Sequence, residues 1–178
     1  MKFKPTALPE VILIEPAVFE DERGFFLESY RKDLFKQNGI DVTFVQDNHA
    51  LSKKGALRGL HFQTGDHAQA KLIRVVSGEI FDVAVDIRKG SKSFGRYISE
   101  RLSAQNKKML FVPAGFAHGY LTLSETADVL YKASAYYAPA HEGALLWNDP
   151  DVAIQWPDVP NVKLSAKDQK ARLLKDLK

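Results

Sequence analysis

Apolar and polar positions along this chain alternate in short bursts, and few stretches carry the period of a helix. Val11 to Ile14 is an apolar run stopped by Glu15-Pro16 and predicts a short strand. Asp21-Glu22-Arg23-Gly24 has the composition of a turn, and Phe25 to Tyr30 predicts the strand leaving it. Tyr30 to Gln37 predicts a short helix ended by Asn38-Gly39, a helix-stop pair. Val42 to Gln46 predicts a strand that leads into the polar run Gln46-Asp47-Asn48-His49. Arg58 to Gln63 predicts another, followed by a polar loop over Thr64 to Gln69.

Lys71 to Val76, the turn Ser77-Gly78 and Glu79 to Ile87 predict a hairpin. In its second arm Phe81, Val83, Val85 and Ile87 make one apolar face. Ile80, Asp82, Ala84 and Asp86 make the other, whose two carboxylates suit a polar cavity or solvent. Tyr97 to Leu102, Lys108 to Val112, Gly119 to Leu123 and Val129 to Tyr136 predict further strands, with Pro113-Ala114-Gly115 as a turn and Ala138 to Gly143 as a loop. From Trp147 the chain is rich in Asp and Pro and reads as irregular. Ser165 to Leu177 then predicts a closing helix, capped by Ser165 with Asp168 as an acidic partner three residues on. Many short strands and two short helices make this an all-β chain. The expected architecture is an antiparallel jelly-roll sandwich or barrel with a few short peripheral helices, in one domain over residues 1–178.

Composition narrows the partners. Hydrophobic content of 45% and charged content of 26% are ordinary for a globular protein. A net charge of +3, with no Lys/Arg run beyond two residues, is too weak for a nucleic-acid footprint but suits a small anionic ligand. The absence of cysteine excludes disulfides and thiolate metal ligands. No segment approaches the roughly 18 apolar residues of a membrane span, and the run Val11 to Ile14 is too short for a secretory signal. The expectation is a cytoplasmic protein with neither nucleic acid nor membrane as partner.

Two stretches carry candidate chemistry. Leu57-Arg58-Gly59-Leu60-His61-Phe62-Gln63 places a cation, a flexible backbone point and a titratable base in one strand. Strict alternation sets Leu57, Gly59, His61 and Gln63 on one side, with Arg58, Leu60 and Phe62 on the other. An imidazole, with an unperturbed pKa of roughly 6.5, exchanges protons near neutrality, although a lone histidine is commonly a hydrogen-bonded core residue. Pro113-Ala114-Gly115-Phe116-Ala117-His118-Gly119 delivers a second histidine from a tight turn into a strand.

Together these stretches resemble the two-motif pattern of the cupin superfamily. Metal-binding cupins carry His-x-His in the first motif, whereas here it reads His61-Phe62-Gln63. The resemblance therefore implies a cupin-type barrel that works without a metal, with His61, His118 and a carboxylate such as Asp82 as the remaining candidate ligand set. Within the superfamily the likeness narrows. Arg23-Gly-Phe-Phe-Leu-Glu28, Gln46-Asp-Asn48, Leu57 to Gln63 and Phe81-Asp-Val-Ala-Val-Asp-Ile-Arg88 resemble the dTDP-4-dehydrorhamnose 3,5-epimerase family. So do Pro113 to Gly119, Tyr131-Lys132, Trp147-Asn148-Asp149 and Leu164-Ser-Ala-Lys-Asp168, in order along nearly the whole chain.

The resemblance implies an isomerase that inverts C3 and C5 of dTDP-4-keto-6-deoxyglucose through an enolate, with no cofactor. It implies His61 as the base, Asp168 as the carboxylate orienting it, Tyr131 as proton donor and Lys71 as the cation beside the enolate. Read without it, Asp168 is a helix cap, Tyr131 a strand aromatic and Lys71 a solvated charge. Arg23 and Arg58 match phosphate contacts, and Glu28, Gln46, Asp47, Asn48, His118, Glu142 and Lys167 match polar contacts to substrate. Phe19, Phe26 and Tyr137 are candidates to stack on the thymine, and Asp82 to fix one imidazole. The family is homodimeric, so Arg23, Phe26 and Glu28 on the N-terminal strands are expected to serve the partner's site. Three other readings stand beside this one: a single-carbon epimerase or ketoisomerase on a related sugar, a metal-dependent cupin enzyme, and a sugar-binding cupin without catalysis.

Overall fold

Strand after strand of this chain is closed by a turn residue, and the strands pair with antiparallel neighbours. The computed structural model describes residues 1–177. The N-terminal part holds β1 (Lys2–Pro5), β2 (Ile12–Glu15), β3 (Val18–Asp21), β4 (Gly24–Leu27) and the helix α1 (Lys32–Gln37). The middle holds β5 (Gln46–Lys53), β6 (Leu57–Gln63), β7 (Lys71–Ser77), β8 (Glu79–Asp86) and β9 (Tyr97–Ser103). Then come β10 (Met109–Val112), β11 (Phe116–Thr122), β12 (Thr126–Ala133) and β13 (Glu142–Ala144). Six strands form one sheet in the order β1-β2-β10-β7-β12-β5, and five form a second in the order β13-β6-β11-β8-β9; β3 and β4 stand apart as a hairpin. This is the antiparallel jelly-roll sandwich expected from the strand pattern.

Both sheets bury both faces, which explains the apolar runs in β8 and β10. Between the sheets, Ile73, Val75, Leu110, Val112 and Val129 meet Ile80, Ala84, Ile98, Leu102 and Phe116. On the outside of the six-stranded sheet, Ile14, Leu72, Met109 and Phe111 lie under Phe35 of α1 and Ile40. On the outside of the five-stranded sheet, Leu60, Val83, Val85 and Ala117 lie under Val152, Ile154, Leu174 and Leu177. The two faces of β8 divide as the alternation predicts. Phe81, Val83 and Val85 pack under the C-terminal segment, and the carboxylate-bearing face is the inner one. Fully buried Asp86 is bound by Arg88, Ser91 and Ser93; these hydrogen bonds overcome desolvation and hold its carboxyl well below the usual range.

Three further expectations change. The strand placed at Val42 to Gln46 is irregular, and the strand instead runs through the polar stretch as β5, where exposed Asp47, His49, Leu51 and Lys53 alternate with the more buried Gln46, Asn48, Ala50 and Ser52. The extended stretch after the first turn ends at Leu27 rather than Tyr30. The closing helix does not form: residues 165–177 contain only short 3-10 turns at Asp168–Lys170 and Leu174–Asp176. Its helix-forming residues are overridden by tertiary bonds to an extended backbone. Leu146 N–H donates to Arg172 O at 2.8 Å, Arg172 N–H to Ala144 O at 3.2 Å and Leu174 N–H to Asp149 Oδ2 at 2.7 Å.

The expected alternation in β6 is broken as well. His61 lies opposite His118 but Arg58 lies opposite Tyr120, so three steps along β6 match two along β11. This is a bulge, and it turns Arg58 and His61 to the same side. At the bulge Gly59 has φ +133°, and a Cβ there would stand 2.5 Å from Gly119 Cα. Gly59→Ala therefore combines backbone strain with a backbone clash. It is expected to cost about 3 kcal/mol or more in denaturant unfolding, against about 1–2 kcal/mol for an alanine at exposed Gly90, where φ of +83° strains the backbone but the added Cβ meets nothing within 4 Å.

Candidate active site

The bulge, the inner faces of the two sheets and the C-terminal segment enclose a cavity of about 480 Å³. Arg58, His61, His118 and Tyr120 line it from the five-stranded sheet, and Lys71, Val129 and Tyr131 from the six-stranded sheet. Glu142, Lys167 and Asp168 close one end. Its walls thus present imidazoles on one sheet opposite an amine and a phenol on the other.

Each imidazole has its own carboxylate. His61 Nε2 lies 2.6 Å from Oδ1 of buried Asp168, which leaves Nδ1 as the ring nitrogen without a partner among the described residues. Asp168 is brought there by the tail rather than by a helix, and its backbone N–H donates to Ser165 Oγ at 3.1 Å. The Ser165 hydroxyl caps no helix, since none forms, and the Asp168 carboxylate is directed to His61. His118 Nε2 lies 2.8 Å from Asp82 Oδ1, and both side chains are buried. Asp82 Oδ2 has no hydrogen-bond partner among the described residues. Those residues also contain no cluster of three His, Cys, Asp or Glu side chains placed as metal ligands.

Burial tunes the opposite wall. Desolvation pushes the Lys71 ammonium down to about 8, against the pull of Asp82 and Glu142. Desolvation raises the Tyr131 phenol, with Arg58 drawing it back, so Tyr131 keeps its proton through neutral pH. At Glu142, desolvation is outweighed by hydrogen bonds from Lys167 and from Tyr137, whose hydroxyl donates at 2.7 Å, and the carboxyl sits below its ordinary value. A chain of contacts continues along the rim: Gln46 Oε1 accepts from Tyr137 N–H at 3.0 Å, and Gln46 Nε2 donates to Asn48 Oδ1 at 3.0 Å.

Not every expected residue arrives here. Asp47 points away from the Gln46–Asn48 face and pairs with Lys132 at 2.9 Å, because alternation in β5 turns it outward. Arg23, Phe26 and Glu28 lie on or beside the β3–β4 hairpin outside the cavity, and Arg23 is bound to Asp21. Phe19 and Phe26 are 64% and 69% exposed on that hairpin. Conversely, sequence reading assigned no role to Ser52 and Tyr120, and none to Gln63 beyond its place in the His61 stretch. Gln63 ties down the loop that carries Tyr137, donating to His67 O at 2.7 Å and accepting from Ala138 N–H at 2.7 Å. Tyr120 was findable, since it follows His118 by two residues on the same strand face.

Comparison with known proteins agrees with this geometry. Residues 5–176 match the model of the family described as dTDP-4-dehydrorhamnose 3,5-epimerase. The chain belongs to the dTDP-4-dehydrorhamnose 3,5-epimerase family. It is 58% identical over 170 residues to an enzyme of that name from Salmonella typhimurium, covering 95% of this chain and 93% of the relative. The corresponding enzyme of Pseudomonas aeruginosa is 51% identical over 177 residues, covering 99% and 97%. Among solved structures, a dTDP-6-deoxy-D-glucose-3,5-epimerase from Legionella pneumophila, described in complex with dTDP-4-keto-L-rhamnose, superposes with a TM-score of 0.97 at 46% identity. It covers 99% of this chain and 94% of its own. For this family member the cavity between the sheets is the place where substrate chemistry is to be sought.

The Lys71 environment has a measurable consequence. Its folded pKa of about 8 lies below the ordinary 10.5, so the unfolded chain holds that proton more tightly between those values. Stability owed to Lys71 therefore rises with pH from about 8 to 10.5. A Lys71→Met variant is expected to gain stability over the parent below pH 8, and to lose that advantage across this window in urea titrations at stepped pH.

Proposed function

We propose that the protein inverts C3 and C5 of dTDP-4-keto-6-deoxyglucose, forming dTDP-4-keto-L-rhamnose in dTDP-L-rhamnose biosynthesis. The observation that carries this reading is the His61–Asp168 pair facing Tyr131 across the cavity from the opposite sheet. Epimerisation beside a ketone needs that arrangement: a base on one face, an acid on the other, and a fixed positive charge at the oxygen between them.

In this reading the Asp168 carboxylate accepts from His61 Nε2–H and leaves Nδ1 free to take the C–H proton. The electron pair moves into the C4 carbonyl, and Lys71, as ammonium, stabilises the resulting enolate oxygen. Tyr131, still protonated, returns a proton to carbon from the other face, so the carbon leaves inverted. The imidazolium is stabilised by the same carboxylate that fixed its tautomer. Exchange with water then removes the proton from His61 and returns one to the Tyr131 oxygen, and repetition at the second carbon completes the double inversion.

Arg58 is assigned to the diphosphate, His118, held by Asp82, to a sugar oxygen, and Glu142, Lys167, Gln46, Asn48 and Tyr137 to the nucleotide end. The exposed phenylalanines of the β3–β4 hairpin support a homodimer in which Arg23, Phe26 and Glu28 complete the partner's site. Among the described residues no helix is long and apolar enough to cross a membrane, and the cytoplasm, where nucleotide sugars are built, is the proposed place of action.

Incubation with dTDP-4-keto-6-deoxyglucose in deuterated water tests the mechanism by NMR. Deuterium is expected at both C3 and C5. His61→Asn should slow this by about a thousandfold. Tyr131→Phe should keep deuterium wash-in but lose inverted product. Wash-in at one carbon alone would replace the double epimerase with a single-carbon enzyme, and undiminished exchange in His61→Asn would remove His61 as base.

A further inference from the structure

Arg58 reaches the cavity on an edge of β6 where nothing acidic holds it; no carboxylate lies within ion-pair distance among the described residues. Its guanidinium is fixed instead by neutral groups. Nε donates to Ser52 Oγ at 2.9 Å, and Nη2 to Leu51 O at 3.3 Å. The Ser52 oxygen in turn lies 3.0 Å from the hydroxyl of Tyr120. Ser52 and Tyr120 are 2% and 5% exposed, so this is a buried link between β5, β6 and β11. Because Arg58 can only donate, Ser52 accepts from it, and its own hydroxyl proton is then free to bond the Tyr120 oxygen.

A neutral tether has a specific merit at an anion site. A carboxylate beside Arg58 would cancel the charge that a diphosphate is meant to meet, whereas one hydroxyl, itself held by Tyr120, and a carbonyl fix the fork and leave its charge uncompensated. The remaining guanidinium donors are then pre-oriented, and less side-chain entropy is lost on binding.

We propose that Ser52 and Tyr120 act as a relay of positioning residues that holds Arg58 ready for the substrate's diphosphate, so that Tyr120 sets nucleotide affinity without touching the reacting carbons. This rests on the epimerase reading above. Tyr120→Phe keeps the ring in the core and removes only the hydroxyl. It is expected to raise both the Kd for dTDP and the KM of the keto sugar about three- to tenfold, with a smaller effect on kcat than on KM and no shift of the pH profile. Ser52→Ala should do the same or more, and the double variant should be no worse than Ser52→Ala alone, because the two hydroxyls act in series.

Calorimetric titration of dTDP into the parent and these variants, alongside steady-state kinetics and thermal melting, decides the matter. An unchanged dTDP Kd in folded Tyr120→Phe, effects that multiply in the double variant, or a fall in kcat in place of a rise in KM would each overturn the relay. Should Tyr120→Phe fail to fold, the same criteria on Ser52→Ala apply, with Ser52→Thr expected to restore affinity. A parent protein that binds no dTDP and exchanges no deuterium would overturn the epimerase reading itself, whereas one that does both with variants unaffected overturns the relay alone.

Discussion

The site depends on an irregular segment being held flat against a sheet. Residues 145–177 hold only short turns of their own, and they stay in place because the outer face of the five-stranded sheet is apolar and needs a cover. Leu174 and Leu177 supply it, while Asp149 accepts Val152 N–H on one oxygen and Leu174 N–H on the other. Farther up, Lys163 N–H donates to Gly55 O and its carbonyl accepts from Leu57 N–H, pinning the segment to the start of β6. Ordinary core formation thus delivers Asp168 behind His61.

The two walls of the cavity divide the electrostatic labour. On one wall each imidazole is backed by a carboxylate, which sets the tautomer and leaves the other ring nitrogen for substrate. On the other, desolvation weakens the hold of Lys71 on its proton, so the amine gains most from an anion appearing beside it. The same burial keeps Tyr131 neutral and able to give a proton. Distance between the sheets, fixed by the packing of residues such as Val129 and Phe116, then becomes the distance between His61 and Tyr131.

Much of this was legible in the order of residues. The strand-and-turn rhythm yielded the sandwich, and the motifs around His61, His118, Tyr131 and Asp168 named four side chains that do share one cavity. What could not be read was anything set by long-range contact. The tail from Ser165 has helical composition, and only bonds to Ala144, Leu146 and Asp149 reveal why it is extended. Strict alternation separated Arg58 from His61, because the bulge at Gly59 is specified by the approach of Gly119, sixty residues away in sequence. Asp47 sat among true rim residues in sequence and faces outward in space, since one step along a strand reverses a side chain.

Asp168 is 107 residues beyond the histidine it supports. During synthesis both sheets have all their strands once Ala144 has emerged, and the pocket's imidazoles, phenol and amine already exist by then. The carboxylate that holds the His61 ring comes only with the final stretch of chain. The last stretch of chain therefore serves two ends at once, covering the five-stranded sheet and supplying the carboxylate that meets His61.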